Sequence, residues 1–274
     1  MPELPEVETI ARLLRDGSPG QPSLVGRHIH GASLLWERTL AEPSPAEFAS
    51  RLDQQAIEAV SRRGKFLLLR LTYDWLLFHL RMSGDLAVRP SDAPLAPHDR
   101  LIIVLEGGVS LVFNDARKFG RAWLVEDAGL VLGDLGPEPL DDSLSSGDFY
   151  ARLHVTRRQL KPLLLDQKFL AGLGNIYADE ALNLARLHPL VPADRLTFQQ
   201  AESLLEGIRT VLRASIQRNG ASIDWVYRGG DFQNYFRVYQ RTGLPCPECG
   251  TPIARIIVGQ RGTHFCPHCQ PVHS

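Results

Sequence analysis

Four cysteines carry the most legible chemistry in the chain. Cys246-Pro-Glu-Cys249 and Cys266-Pro-His-Cys269 form two pairs, each with two residues inside and sixteen between them, and there is no fifth cysteine. Two such turns bring four thiolates into a tetrahedron, which holds zinc at about 2.3 Å from each sulfur and leaves no position for water. The spacing predicts one structural zinc, with iron as the alternative that also suits tetrahedral sulfur. Scattered structural thiols would not cluster this way, and a disulfide framework needs an oxidising compartment. His264 and His268 lie within the same stretch, but the cysteine set is complete without them. Between the pairs, Val258-Gly-Gln-Arg261-Gly-Thr reads as a hairpin tip carrying one cation. Its glycines let the backbone approach a phosphate closely; a solvated turn arginine fits the same spacing.

Two further places offer chemistry. Met1-Pro2-Glu3 opens the chain, and removal of Met before a small second residue would expose a secondary amine. Such an amine attacks an aldehydic or acetal carbon to form an iminium, the Schiff-base chemistry otherwise done by lysine. Its pKa of about 8 leaves a neutral fraction at neutral pH, and Glu3 stands beside it as an acid. Taken alone, Pro2 is also just a common second residue. Gly172-Leu-Gly174-Asn175 precedes a helix expected from Ile176, and backbone N–H groups at a helix start bind phosphate, with the Asn175 amide as an added donor. A plain helix cap reads the same way. The pattern is neither GxGxxG nor a Walker loop, so no dinucleotide or NTP site is expected.

The elements that must hold these residues change character along the chain. From Leu24 to about Leu132, strand-length apolar runs (FLLLRL, WLLFHLRM, LIIVLEGGVSLVF, RAWLVE) alternate with turn signals, predicting a mainly antiparallel β domain. A helix is expected over Pro5–Arg15, and another over Ser44–Gln54 with Ser44 as N-cap, Pro45 at N1 and Glu47 at N3. Asp134–Gly147, dense in Pro, Gly, Ser and Asp, reads as a linker. Beyond it, Phe149–Leu153, Thr156–Leu164, Ile176–Leu184 and Thr197–Arg218 have helical spacing. The division expected is 1–135, a linker 136–147, a helical domain 148–235 and a cysteine-rich finger 236–274.

The 274 residues carry 30 Lys and Arg against 31 Asp and Glu, a net charge of −1. That near-neutral total hides a split: residues 146–274 hold 15 of the bases and 10 of the acids, leaving +5 there and −6 in 1–145. The C-terminal half is therefore fit to meet a polyanion. No apolar run is long enough to span a membrane, and the first residues lack a basic-then-apolar signal pattern, so a cytoplasmic protein is expected.

MPELPEVET at the start, Lys65 in RRGKFLLL, HLRMSG at 79–84, NDARKFG at 114–120, LGNIYADEAL at 173–182 and GQRGTHFCPHCQ at the finger together resemble the formamidopyrimidine-DNA glycosylase family. The resemblance spans nearly the whole chain in the family's order, and Leu4 fits this branch better than the sister endonuclease VIII branch. It implies an α+β multidomain fold: an N-terminal antiparallel β-sandwich with flanking helices, a helix-two-turn-helix domain and a zinc-finger β-hairpin. It implies a monomeric base-excision-repair enzyme, both glycosylase and abasic-site lyase, acting on double-stranded DNA that carries oxidised purines or abasic sites, and associated with the nucleoid through DNA.

Residue by residue, Pro2 matches the nucleophile at C1′ and Glu3 the residue that protonates the deoxyribose ring oxygen. Lys65 matches a catalytic-site lysine on the phosphate flanking the lesion, with His79, Asn175 and Arg261 as further phosphate contacts. Met82, Arg117 and Phe119 match the residues that fill the gap left by the everted base, with Arg117 reading the orphaned cytosine. Lys161 matches another DNA-binding lysine, and Glu6 a residue near the lesion base; a helix-start carboxylate favoured by the macrodipole fits Glu6 equally well. One departure concerns base choice. The stretch between Ile223 and Phe232 is about four residues shorter than the family's base-capping loop, leaving Tyr227 and Arg228 as substitute base contacts. The same chemistry on oxidised pyrimidines, and a non-catalytic zinc-finger protein that binds damaged DNA, are the competing readings; a protein of the second kind has no need of both Pro2 and Glu3.

Overall fold

The structure is a computed structural model that describes residues 1–222 and 229–272. It is α+β and divides into two compact units, one built on Met1–Asp134, the other on Leu135–Ala221 and residues 230–272.

The first unit opens with helix α1 (Leu4–Asp16), which starts where expected because Pro5 sits in its first turn and Glu3 and Glu6 close a capping box. Two sheets follow. Strands β1 (Ile29–Leu34), β2 (Leu40–Glu42), β3 (Ile57–Arg63), β4 (Phe66–Leu71), β5 (Trp75–His79), β6 (Gly84–Pro90), β7 (Asp99–Leu105), β8 (Val109–Asp115) and β9 (Arg121–Val125) form them. One sheet has the order β1-β7-β8-β6, the other β2-β9-β5-β4-β3. All pairs are antiparallel except β2 with β9. Helix α2 (Pro45–Leu52) lies between β2 and β3, with Ser44 Oγ accepting from Glu47 N as the sequence predicts.

Strand side chains alternate between faces, so Leu67, Leu69, Leu71, Leu76, Phe78 and Leu124 point into one core with Leu101, Ile103, Leu111 and Phe113 of the other sheet and Val7, Ile10 and Leu14 of α1. The FLLLRL run does not alternate in polarity because its other face is covered too. Leu68 and Leu77 pack with Trp75, Trp123 and Val125, and with Val131 and Leu132 of the short helix α3 (Gly129–Leu132).

In the second unit, α4 (Ser146–His154), α5 (Leu160–Leu164), α6 (Asn175–Leu184) and α7 (Phe198–Gln217) are followed by the hairpin β10 (Ala254–Val258) and β11 (Arg261–Phe265). Thr197 and Gln200 cap α7. The α7 glycine Gly207 lets the helices close on one another, since a Cβ there would sit 3.2 Å from Ala181 O of α6. Below that crossing, Tyr177 and Ser215 share a buried 2.7 Å hydrogen bond. Helix α5 is shorter than the predicted 156–164. The Thr156 hydroxyl accepts from Arg158 N and Gln159 bridges to Pro192, so the first residues of the predicted helix spend their backbone groups elsewhere. Residues 136–147, expected as a linker, are tied into this unit: the Arg209 guanidinium donates to the carbonyls of Pro139, Asp141 and Leu144. The helices and the cysteine hairpin fall in one compact unit.

Candidate nucleic-acid interface and metal centre

Pro2 and Glu3 are buried at the start of α1, Glu3 only 2% exposed. Glu6 Oε2 accepts from Glu3 N at 2.8 Å. The side chain matched to a base contact thus holds the Glu3 backbone in place. A helix N-terminus favours negative charge, and both carboxylates sit there. Helix α1 packs on β3, β4 and β6, and Glu8 takes a 3.0 Å bond from Arg62 Nε at the end of β3. The next turn, Gly64-Lys65, has Gly64 at φ 57, a conformation glycine adopts without strain. Lys65 is thereby fixed at the end of β4 and 5% exposed.

His79 ends the neighbouring strand β5, opposite Phe66, with the two rings edge to face at 4.7 Å. Its Nδ1 accepts from Arg81 N at 3.0 Å. The proton of the neutral ring therefore rides on Nε2, which is left as a donor. Burial, reinforced by the charges of Arg81 and Lys65, pushes the His79 pKa down to about 3. A neutral imidazole with a fixed N–H is a phosphate hydrogen-bond donor whose state does not change through the physiological pH range.

Beyond His79 the chain turns through Arg81, at φ 54, and Met82 into β6; the loop after β8 carries Arg117, Lys118 at φ 60, and Phe119. These two tips are held together by one carboxylate. Asp115, 1% exposed, accepts from the Ser83 hydroxyl, from Arg117 N at 3.1 Å and from Gly120 N at 2.7 Å. The Phe113 ring fills the space between the tips. A Cβ at Gly84 would meet it at 2.8 Å and a Cβ at Gly120 at 2.3 Å, so both positions need glycine for want of room. The outcome is two large apolar side chains displayed to solvent, Met82 at 39% and Phe119 at 52% exposed, with the Arg117 guanidinium 5.3 Å from the Phe119 ring centre. Rigid apolar tips of this kind are wedges for a base stack.

In the second unit, Asn175 and Arg261 come together. The Asn175 Nδ2 donates to Gly262 O at 3.1 Å, one residue from the exposed Arg261. Lys161 does not join them. It is fully buried, with Nζ 2.6 Å from Asp179 Oδ1 and 2.7 Å from Asn175 O. The expectation that Lys161 contacts DNA is corrected: its charge is spent inside the protein on Asp179, and no surface remains for a phosphate. Tyr227 and Arg228 lie outside the described residues, as does most of the short loop.

The cysteines behave as their spacing predicts. All four Sγ atoms lie within 4.8 Å of one another, with edges of 3.9 Å for Cys246–Cys269 and 3.5 Å for Cys249–Cys266. A tetrahedron of 2.3 Å zinc–sulfur bonds has edges of about 3.8 Å, so the set fits zinc. The Thr251 hydroxyl and N–H pull the Cys249 thiol down to about 6, while burial pushes the Cys266 and Cys269 thiols up, so bringing all four to the thiolate falls to the metal. His264 is no competitor, being buried against Asp179, and His268 is exposed.

Sequence reasoning missed the buried polar groups that aim these parts. Glu180, 1% exposed, accepts from the backbone N–H of Arg237, Val238 and Tyr239. Burial raises its pKa against those three bonds. Gln270, wholly buried, accepts from Asn183 and Cys266 N and donates to Leu187 O. The available signal was two adjacent acids within a helix whose other residues are mostly apolar.

Three family models match the chain in order: the formamidopyrimidine-DNA glycosylase N-terminal domain over residues 1–122, the H2TH domain of the same enzymes over 135–226, and the zinc finger found in these glycosylases and in isoleucyl-tRNA synthetase over 243–272. Among curated proteins, the formamidopyrimidine-DNA glycosylase of Chloroflexus aggregans is 48% identical over 98% of both chains. That of Herpetosiphon aurantiacus is 45% identical over 98% of this chain and all of its own. Among solved structures, wild-type Lactococcus lactis Fpg in complex with DNA containing N7-benzyl-Fapy-dG is 35% identical. It superposes with a TM-score of 0.91 over 99% of this chain and all of that one. The same protein non-covalently bound to DNA with an abasic site gives 0.90 at 34% identity.

Proposed function

The chain belongs to the formamidopyrimidine-DNA glycosylase family, and from that premise we propose how its own residues carry out the reaction. It is a DNA glycosylase of base excision repair with abasic-site lyase activity; its partner is double-stranded DNA bearing a damaged base or an abasic site, and its one metal is structural zinc.

The observation that carries the residue assignment is the tip geometry. Met82 and Phe119 are exposed on two loops that Asp115 and Phe113 lock together, with Arg117 between them. A glycosylase must take its base out of the stack and replace the lost stacking, a cost of roughly a few kcal/mol. Rigid apolar tips lower it without ordering entropy at the moment of binding. The Arg117 guanidinium then faces the unpaired partner base, where a cytosine offers acceptors. Lys65 and the Nε2–H of His79 hold phosphates beside the everted nucleotide, and Asn175 and Arg261 are the phosphate contacts of the second unit.

Chemistry begins at Pro2. While Met1 remains, the Pro2 nitrogen is an amide and inert; once Met1 is cleaved, its lone pair attacks C1′. The C1′–base bond breaks, the base leaves with a proton, and Glu3 donates to the ring oxygen as the sugar opens to an iminium. The iminium acidifies C2′–H; β-elimination removes that proton with the 3′ phosphate, δ-elimination removes the C4′ proton with the 5′ phosphate and leaves a one-nucleotide gap, and water then hydrolyses the remaining iminium, releasing the sugar fragment and restoring the Pro2 amine. Zinc supplies no step; it cross-links the hairpin that bears Arg261. Oxidised purines are the substrates this reading favours, because Arg117 and Phe119 stand in the motif NDARKFG. A cytoplasmic location accords with DNA as the partner.

The test is borohydride trapping on a duplex with 8-oxoguanine opposite cytosine. An adduct mapping to the nitrogen of residue 2 supports the assignment. Trapping only on an abasic duplex would shift the base choice away from 8-oxoguanine, and trapping at a lysine would overturn the role of Pro2.

A further inference from the structure

We infer that Asp179 and His264 form a latch that sets the aim of Arg261, making both of them positioning residues for phosphate binding. The inference rests on the reading of Asn175 and Arg261 as phosphate contacts.

The register of the hairpin places Val258 opposite Arg261 across the two-residue turn Gly259-Gln260, both at positive φ. Such a pair flanking a two-residue turn is the hydrogen-bonded kind, and bonded and non-bonded pairs then alternate along the strands. Arg261, Thr263 and Phe265 therefore bond to β10, while the backbone groups of Gly262 and His264 face the open edge. An open edge is a liability unless something covers it.

Here α6 covers it with side chains. Asn175 Nδ2 donates to Gly262 O at 3.1 Å, and Asp179 Oδ2 accepts from His264 N at 2.9 Å. The spacings match. Asn175 and Asp179 are four residues apart on one helix face, about 6 Å along the axis; Gly262 and His264 are two apart on the strand, about 6.6 Å. The same Asp179 oxygen lies 3.2 Å from His264 Nδ1, so a ring N–H adds a second bond at that point. Asp179 Oδ1 takes the Lys161 ammonium, which also bonds Asn175 O at 2.7 Å. Lys161 thus fixes both helix anchors, and Asp179 and His264 are all but removed from water.

Zinc ties the cysteines to one another at the end of the hairpin away from Arg261, where Asn183 of α6 also reaches Cys266 N through Gln270. The two edge bonds fix the hairpin on α6 nearer its tip and so decide where Arg261 points relative to Asn175.

The salt dependence of DNA binding reads this directly, because each lost phosphate contact lowers the slope of log K against log salt by about 0.9. The full-length zinc-loaded protein is compared with Arg261→Ala, Asp179→Asn and the double variant Lys161→Met/Asp179→Leu, which removes both buried charges together and leaves neither unpaired. Each Asp179 variant is expected to keep one zinc per chain and to lose about one unit of slope. Between 50 and 200 mM salt its binding then weakens about three- to fourfold less than the parent's. Adding Arg261→Ala to either variant should lower the slope no further.

If Arg261→Ala lowers the slope and the Asp179 variants do not, the latch is refuted. Loss of zinc together with binding would also refute it, since the pair would then hold the finger's fold and not its aim. If Arg261→Ala itself leaves the slope unchanged, the phosphate reading fails instead, which is a separate result.

Discussion

Asp115→Ala tests the link between a buried hydrogen-bond cluster and base eversion. The Asp115 carboxylate takes bonds from the Ser83 hydroxyl, Arg117 N and Gly120 N. Alanine leaves Gly120 N without its acceptor, whereas Arg117 N keeps the Ser83 hydroxyl at 3.1 Å. One orphaned buried N–H and one lost hydroxyl–carboxylate bond together cost about 2–4 kcal/mol. For a unit of this size each kcal/mol is worth about 3 °C, so the unfolding midpoint should fall by roughly 6–12 °C. Asn, which still offers one acceptor oxygen, should lose about half as much.

The functional consequence is selective. On the proposed reading, Met82, Arg117 and Phe119 act when a base is displaced, so excision of 8-oxoguanine opposite cytosine should slow by about tenfold or more, the rate equivalent of 1.4 kcal/mol or more of wedge stabilisation. Cleavage at a pre-formed abasic site, where no base is extruded, should slow far less. Single-turnover assays on both duplexes, well below the new midpoint, give the ratio. Equal losses on the two substrates, or a midpoint unchanged within about 2 °C, would refute the reasoning.

Three other outcomes follow from the same geometry. Gly120→Ala drives a Cβ to 2.3 Å from the buried Phe113 ring; the overpacking should cost about 1–3 kcal/mol and impair lesion excision, with Phe113→Leu restoring both by making room. His79 has a folded pKa of about 3 against an ordinary 6.5, so below pH 6.5 the unfolded chain binds the proton first. Its contribution to stability is full above pH 6.5 and is lost as pH falls toward 3, at about 1.4 kcal/mol per unit. Urea titrations at pH 4, 5 and 6 should show a shallower decline for His79→Gln, and an identical decline would reject the shift. Chelating zinc should abolish DNA binding but keep most of the helical circular dichroism, because α7 packs on both α4 and α6 independently of the cysteines.

The sequence alone determined most of the elements and the metal ligands, though not the start of α5. Ligand spacing is local, so four cysteines in two short turns specify a tetrahedron wherever the chain puts them. Caps are local too: Ser44 with Glu47 and Thr197 with Gln200 start their helices through bonds spanning three residues. Glu6 shows the limit of that reasoning, since its carboxylate was legible as a helix-start residue but its grip on Glu3 N was not. What the tertiary structure decided was the use of buried charge. Lys161 reads as a DNA-binding cation until Asp179, eighteen residues away, is seen to neutralise it, and His264 reads as a spare ligand until the same carboxylate, eighty-five residues away, claims it. Asp115 joins Ser83 to the Arg117 loop across thirty-two residues. A buried polar group must find its partner wherever the fold brings one, and that partner is set by packing, on which neither spacing nor composition bears.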